Sequence, residues 1–157
     1  MTSQDREQMI QDNLAYVTDV VTELRATGAP DTPLVYAGFS QGVAMAYRAA
    51  LSTKHTCQGL LALAGDIPPE LHSTPAPRWP PMLLGHGLAD QWYTQDKWRK
   101  DWNVLKSQGI RFDTVQFDGG HEWHPEFLGA AGRFLDRIRE KQVGTRATKS
   151  QVDGGYA

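Results

Sequence analysis

The sequence predicts an α/β fold in which about four parallel strands form a sheet with helices on both faces. Helix-like amphipathic segments alternate with short apolar segments along the chain, which is the pattern of a parallel sheet covered by helices. The apolar segments are too short for helices but suit buried strands. The chain has 157 residues, 40% of them hydrophobic and 22% charged, which is enough for one domain with its own core.

The first predicted element is a helix from Ser3 to Arg25, which Thr2 or Ser3 can cap and Gly28 can end. Its apolar residues recur at intervals of three and four, so they form one stripe. The stripe consists of Ile10, Leu14, Val17, Val21 and Leu24.

The later elements continue the alternation. Predicted strands lie at Leu34–Phe39, Leu60–Ala64 and Arg111–Phe117, with Pro81–Gly85 leading into another, and predicted helices at Gln41–Leu51, Gln95–Ser107 and Pro125–Lys141.

Two stretches of the chain fit neither the helical nor the strand pattern. Ile67–Pro81 holds six of the nine prolines and is predicted to be a loop. Gln142–Ala157 has few large apolar residues and is predicted to be a disordered tail, so we expect the domain to occupy residues 1–141.

Composition excludes several classes of function. The net charge of −2 gives no electrostatic footprint for nucleic acid or an anionic membrane. We expect no transmembrane segment, because the apolar runs are too short to cross a bilayer. The single cysteine, Cys57, rules out an internal disulfide and a multi-cysteine metal site, and it fits a cytoplasmic setting. Histidines and carboxylates show no metal-ligand spacing, so we expect no metal.

The motif Gly38-Phe39-Ser40-Gln41-Gly42 has the pattern G-x-S-x-G and joins a predicted strand to a predicted helix. This is the setting of a nucleophile elbow, where a strained serine exposes its hydroxyl at the end of a strand. The two glycines are expected to allow close approach of neighbouring backbone. The helix N-terminus favours developing negative charge, and the backbone N–H of Gln41 is the candidate oxyanion donor. An ordinary glycine-rich turn is the alternative interpretation.

A serine nucleophile needs a base that is held by an acid, and on this fold the chain order is serine, acid, histidine. Asp90 follows the third predicted strand, and His121 follows the fourth. Both should therefore lie with Ser40 at the edge where parallel strands end. His124 remains an alternative base, and Asp66 an alternative acid.

Aromatic residues adjoin both candidate partners. Trp92 and Tyr93 follow Asp90, and Trp123 comes two residues after His121. They suit the apolar walls of a substrate pocket, but they also suit ordinary half-buried loop positions.

The segments GFSQG, HGLAD and GGHEW, in this order, resemble the serine esterases of the α/β-hydrolase superfamily. The resemblance covers residues 3 to 140 and is strongest to the carboxylesterase/phospholipase branch, which includes the acyl-protein thioesterases. It implies a partial α/β-hydrolase fold and a triad of Ser40, Asp90 and His121. It also implies hydrolysis of carboxylic esters or thioesters, of small molecules or lipids, without a cofactor.

The chain departs from that branch ahead of Ser40. Members usually carry further strands there, and a loop among those strands supplies a second oxyanion N–H. Nothing before Ser40 resembles that loop, so the sequence predicts a truncated hydrolase domain. The strand Leu34–Phe39 would then offer an exposed edge for self-association or for a partner. The alternative function is a catalytically impaired remnant that serves as an interaction module.

Overall fold

The computed structural model describes residues 3–28 and 31–153. Its helices and strands alternate in the predicted order. The helices are α1 (Ser3–Ala26), α2 (Gln41–Ser52), α3 (Gln95–Ser107) and α4 (Pro125–Asp153); the strands are β1 (Val35–Phe39), β2 (Gly59–Leu63), β3 (Met82–Gly87) and β4 (Phe112–Phe117).

The four strands form one parallel sheet in the order β1-β2-β3-β4, which confirms the predicted fold class. Every residue of β2 and β3 is buried. Strands buried on both sides need a cover on each face of the sheet, and the helices supply it. The loops after β1, β3 and β4 all leave from the carboxyl edge of the sheet, and these are the loops that carry Ser40, Asp90 and His121.

The core lies between the sheet and the helices. Its largest fully buried hydrophobic side chains come from different elements, namely Tyr47, Phe117, Phe127, Leu60, Leu63, Met82 and Leu105. The apolar stripe on α1 is less buried than its periodicity predicts. Val21 is buried, but Leu24 is 61% exposed. None of the helices in the described ranges is both long and apolar enough to span a membrane.

Two predictions about irregular segments need correction. The proline-rich stretch Ile67–Pro81 contains two short 3₁₀ helices, Pro69–Leu71 and Ala76–Arg78. Proline suits the first position of a helical turn, because it lacks only an N–H that has no partner there. Helix α4 runs to Asp153 and so includes most of the stretch predicted as a disordered tail. That stretch has no proline and several good helix formers. Thr2 and residues 154–157 lie outside the described residues.

Candidate active site

Ser40 occupies a sharp turn between β1 and α2. Its φ is 54°, in a region that non-glycine residues seldom adopt. Two hydrogen bonds hold it there. Its N–H donates to the carbonyl of Leu63 at 3.0 Å, and its carbonyl accepts from the N–H of Val43 at 3.0 Å. The strained serine is therefore fixed both to the neighbouring strand and to the helix that follows it.

The tight turn depends on one of the two motif glycines. A Cβ on Gly38 would lie 2.6 Å from the carbonyl oxygen of Gly42 and 2.6 Å from the Cα of Val43. A Cβ on Gly42 would meet nothing within 4 Å. The expectation that both glycines permit close approach therefore holds for Gly38 and is wrong for Gly42, which already lies on the open side of α2.

This difference predicts opposite effects for two alanine variants. Gly38→Ala should lower the free energy of unfolding by about 1–3 kcal/mol, because backbone atoms must move to admit the methyl group. Gly42→Ala should leave it unchanged or raise it by up to about 1 kcal/mol, because alanine is the better helix former. Urea unfolding of both variants checks this. Equal stability of the two would contradict the described turn.

Asp90 and His121 are joined by a hydrogen bond. Nδ1 of His121 lies 2.8 Å from Oδ2 of Asp90, whose side chain is fully buried. The other carboxylate oxygen, Oδ1, accepts hydrogen bonds from the backbone N–H groups of Trp92 at 2.8 Å and Tyr93 at 2.9 Å. The loop after β3 thus fixes the carboxylate, and the carboxylate fixes the imidazole.

These contacts set the charge of the acid. Burial raises the pKa of Asp90, but the hydrogen bonds from His121, Tyr93 and Trp92 outweigh it and leave the pKa below its ordinary value. Asp90 is therefore an anion at neutral pH. An anion beside Nδ1 favours the tautomer that is protonated on Nδ1, so Nε2 is the nitrogen that can accept a proton.

Ser40 and His121 line the same cavity, which has a volume of about 540 Å³. This is within the size range of small-molecule sites. Its lining consists of Ser40, Gln41, Ala44, Ala64, Gly65, Asp66, Trp92, Tyr93, Lys97 and His121. Tyr93 is 3% exposed and contributes to the wall, whereas Trp92 is 75% exposed. A second cavity, of about 490 Å³, involves α4 and residues at the start of β3 and β4, and it shares no lining residue with the first.

Trp123 does not line the cavity that contains Ser40. Its ring packs against those of Phe39, at a centroid distance of 5.5 Å, and Phe127, at 6.1 Å. The Phe39 ring in turn contacts the imidazole of His121 at 4.9 Å. Trp123 therefore supports the residue that packs against His121, and the pocket role predicted for it stays a prediction.

The alternative base and acid have other contacts. The His124 ring stacks on Phe117 at 4.6 Å, and its Nδ1 accepts a hydrogen bond from the N–H of Glu126 at 3.3 Å. Asp66 does line the cavity, but its carboxylate accepts from Nζ of Lys97 at 3.1 Å. Asp90 is thus the carboxylate that holds a histidine of this cavity.

The backbone N–H of Gln41 is available as a hydrogen-bond donor next to Ser40. Gln41 is the first residue of α2, so its N–H has no acceptor within the helix, and it lines the cavity beside Ser40. Ahead of β1, the described part of the chain forms α1, and that helix contributes nothing to the lining.

Sequence reasoning missed two residues of α3. Lys97 lines the cavity, and Asp101 is buried at 3% exposure close to it. A signal for Asp101 was present. It lies at helical spacing from Trp98 and Leu105, so an acidic residue interrupts an otherwise apolar face.

A family model for the phospholipase/carboxylesterase family matches residues 1–139. Curated relatives include acyl-protein thioesterase 1 homolog 1 of Dictyostelium discoideum, which is 29% identical over 129 residues and is matched over 79% of this chain and 57% of its own length. Acyl-protein thioesterase 1 of Neurospora crassa is 28% identical over 145 residues, which cover 88% of this chain and 59% of the relative. The chain thus spans a little over half the length of these relatives.

Solved structures show the same fold. The crystal structure of esterase PE8 is 27% identical, with a TM-score of 0.62 over 78% of this chain and 58% of that one. Acyl-protein thioesterase 2 of Zea mays is 23% identical, with a TM-score of 0.62 over 80% of this chain and 64% of that one. Because the family model extends from the first helix into the last, this chain belongs to the phospholipase/carboxylesterase family of α/β-hydrolases.

Proposed function

We propose that the chain is a serine hydrolase that cleaves carboxylic esters or thioesters through an acyl-enzyme. The observation that carries the proposal is that His121, held at Nδ1 by Asp90, lines the same cavity as the strained Ser40. A buried carboxylate, an imidazole and a serine at an elbow are the three parts that acyl transfer needs.

The proposed reaction has two halves. In the first, the Ser40 hydroxyl attacks the acyl carbonyl while Nε2 of His121 takes its proton, and the N–H of Gln41 donates to the developing oxyanion. His121 then protonates the departing alcohol or thiol, which leaves the acyl group on Ser40. In the second half, His121 activates a water that releases the carboxylic acid. Asp90 stabilises the imidazolium in both halves.

The relatives named as acyl-protein thioesterases support thioesters as substrates, and the phospholipase/carboxylesterase family supports oxygen esters. Small side chains at Ala44 and Ala64, together with Gly65, leave room beside Ser40 for an acyl chain. Tyr93 offers an apolar wall there, and the exposed Trp92 lies on the lining where a long chain can cover it.

Two histidines three residues apart provide a matched test of this function. The protein is assayed on a chromogenic short-chain ester and on the corresponding thioester, and the free acid is measured. His121→Ala should lower kcat by several orders of magnitude, whereas His124→Ala should change it only a few fold, because the His124 ring stacks on Phe117 and its Nδ1 accepts from the N–H of Glu126. Equal losses, or turnover by His121→Ala at the unmodified rate, would overturn the proposal.

A second candidate function is an interaction module that uses the edge of the sheet. Within residues 3–28 and 31–153, β1 pairs with β2 and with no other strand. Helix α1 exposes large apolar side chains, with Met9 at 53%, Tyr16 at 69% and Leu24 at 61%. An open strand edge and exposed apolar residues both favour association. We propose that β1 pairs with a second copy of the chain or with a partner strand.

Lysine substitutions on the two outer strands of this sheet test the second candidate. Ala37 on β1 and Thr114 on β4 are both exposed. Ala37→Lys should lower the extent of self-association, because a charge on an edge strand opposes pairing. Thr114→Lys should leave it unchanged. Sedimentation velocity measures both. A chain that is monomeric at every concentration, or one that associates equally in both variants, argues against pairing through β1.

A further inference from the structure

A buried carboxylate on α3 connects two of the loops that line the candidate active-site cavity. Oδ2 of Asp101 accepts a hydrogen bond from the backbone N–H of Ile67 at 3.0 Å and another from the hydroxyl of Tyr93 at 2.9 Å. All three residues are at most 3% exposed. One oxygen atom thus joins the loop after β2 to the loop after β3.

Both loops carry lining residues of the cavity. Ile67 directly follows Gly65 and Asp66, which line it. Tyr93 lines it as well, and its backbone N–H donates to Oδ1 of Asp90 at 2.9 Å. A chain of direct contacts therefore leads from Asp101 through Tyr93 to Asp90, and from Asp90 to His121.

The hydrogen bonds from Ile67 and Tyr93 require a buried acceptor at this position of α3. Helix α3 makes a second contact with the same loop one turn earlier, where Lys97 pairs with Asp66. That pair is about half exposed, with side-chain exposures of 48% and 51%, and exposed pairs contribute little. A buried carboxylate is costly, and the burial of Asp101 raises its pKa to about 6. An apolar residue would fill the same face of α3 at lower cost, but it would leave the Ile67 N–H and the Tyr93 hydroxyl without an acceptor.

We propose that Asp101 is a positioning residue for hydrolysis, which acts through Tyr93 on the Asp90–His121 pair and through Ile67 on the cavity wall. This inference rests on the function proposed above. Asp101 is not among the residues that line the cavity, so we assign it a role through its contacts and not through the substrate.

Three variants separate the effect of losing the hydrogen-bond acceptor from the effects of changing the volume and the charge of the side chain. Asp101→Asn keeps an oxygen that can accept both hydrogen bonds. Asp101→Leu has similar bulk and no acceptor. Tyr93→Phe removes only the hydroxyl and keeps both the ring and the backbone N–H that donates to Asp90. Thermal unfolding first shows which variants are folded.

Two readouts are measured on the full chain. The first is the proton resonance of His121 Nδ1–H, which a hydrogen bond to Asp90 shifts strongly downfield. It should persist in the unmodified protein and in Asp101→Asn, broaden in Tyr93→Phe and be lost in Asp101→Leu. The second is ester hydrolysis, in which kcat should fall about 10–100-fold in Asp101→Leu with a smaller change in KM, since misplaced catalytic groups slow chemistry more than binding. Asp101→Asn should restore most of the rate.

The outcomes distinguish this inference from the proposed function. If the unmodified protein hydrolyses no ester, the proposed function fails, and the resonance still tests the positioning role. A folded Asp101→Leu with an unchanged resonance and kcat would show that Asp101 only stabilises the fold and would overturn the inference. If Asp101→Leu does not fold, Tyr93→Phe decides, because a rate and resonance equal to those of the unmodified protein would also overturn it.

Discussion

Replacing Ser40 by alanine is expected to lower kcat for ester hydrolysis by roughly 10⁶-fold, the loss that follows removal of a nucleophile that acts as one unit with its base. In the proposed mechanism this variant lacks the residue that attacks the carbonyl, so no acyl-enzyme can form. Residual hydrolysis would come from the Gln41 N–H and from substrate binding in the cavity. Steady-state assays at a saturating concentration of ester measure this loss.

The serine at the opposite end of the same helix is a matched control. Ser52→Ala alters an exposed residue at the end of α2 and should leave kcat within about twofold, as surface substitutions away from a site have small effects. Ser40→Ala should unfold at nearly the same urea concentration as the unmodified protein, because the change removes one hydroxyl. Turnover by Ser40→Ala at the unmodified rate would mean that another group performs the chemistry.

Replacing Asp90 by asparagine is expected to lower kcat by about 10⁴-fold while leaving the geometry nearly intact. The asparagine oxygen can still accept from the backbone N–H groups of Trp92 and Tyr93, which places its NH₂ group against Nδ1 of His121. The imidazole must then carry its proton on Nε2, which is the wrong tautomer for a base. Kinetic assays of the folded variant test this result.

Asp66→Asn is the matched control, because Asp66 lines the same cavity and was the competing acid. It should reduce kcat only a few fold through the loss of its ion pair with Lys97. If Asp66→Asn causes the large loss and Asp90→Asn the small one, the two assignments must be exchanged.

The same Asp90 variant should also change how stability depends on pH. The pKa of Asp90 in the folded protein lies below its ordinary value of 3.8, so its contribution to stability is present above that value and is lost as pH falls through the folded pKa. Unfolding measured from pH 7 down to strongly acid pH should therefore show a weaker acid destabilisation in Asp90→Asn. An identical pH profile for both proteins would contradict the lowered pKa.

The fold could be predicted from the sequence because the patterns that indicate its strands and helices are local. Each buried strand is a short apolar run, and the helices are bounded by recognisable turns, so the element order followed from periodicity. The loops that carry Ser40, Asp90 and His121 could be aligned at one edge because parallel strands all end there. The parallel topology is enough to place these distant residues at one end of the sheet.

Contacts between loops could not be predicted in this way. The pattern on α3 marks Asp101 as a polar residue on an apolar face, but no local rule says that the loop after β2 turns its Ile67 N–H towards that face. The contacts of Trp123 were equally out of reach. Its place near His121 in sequence suggested the cavity wall, but no local rule predicts that its ring packs against Phe39 and Phe127.

Covalent labelling with a fluorophosphonate, located by peptide mass spectrometry, tests most directly whether the three residues act together. The account predicts one adduct per chain, on the peptide that contains Ser40, with labelling abolished in Ser40→Ala and strongly slowed in His121→Ala. A folded protein that stays unlabelled, or that carries the adduct on another residue, would contradict it.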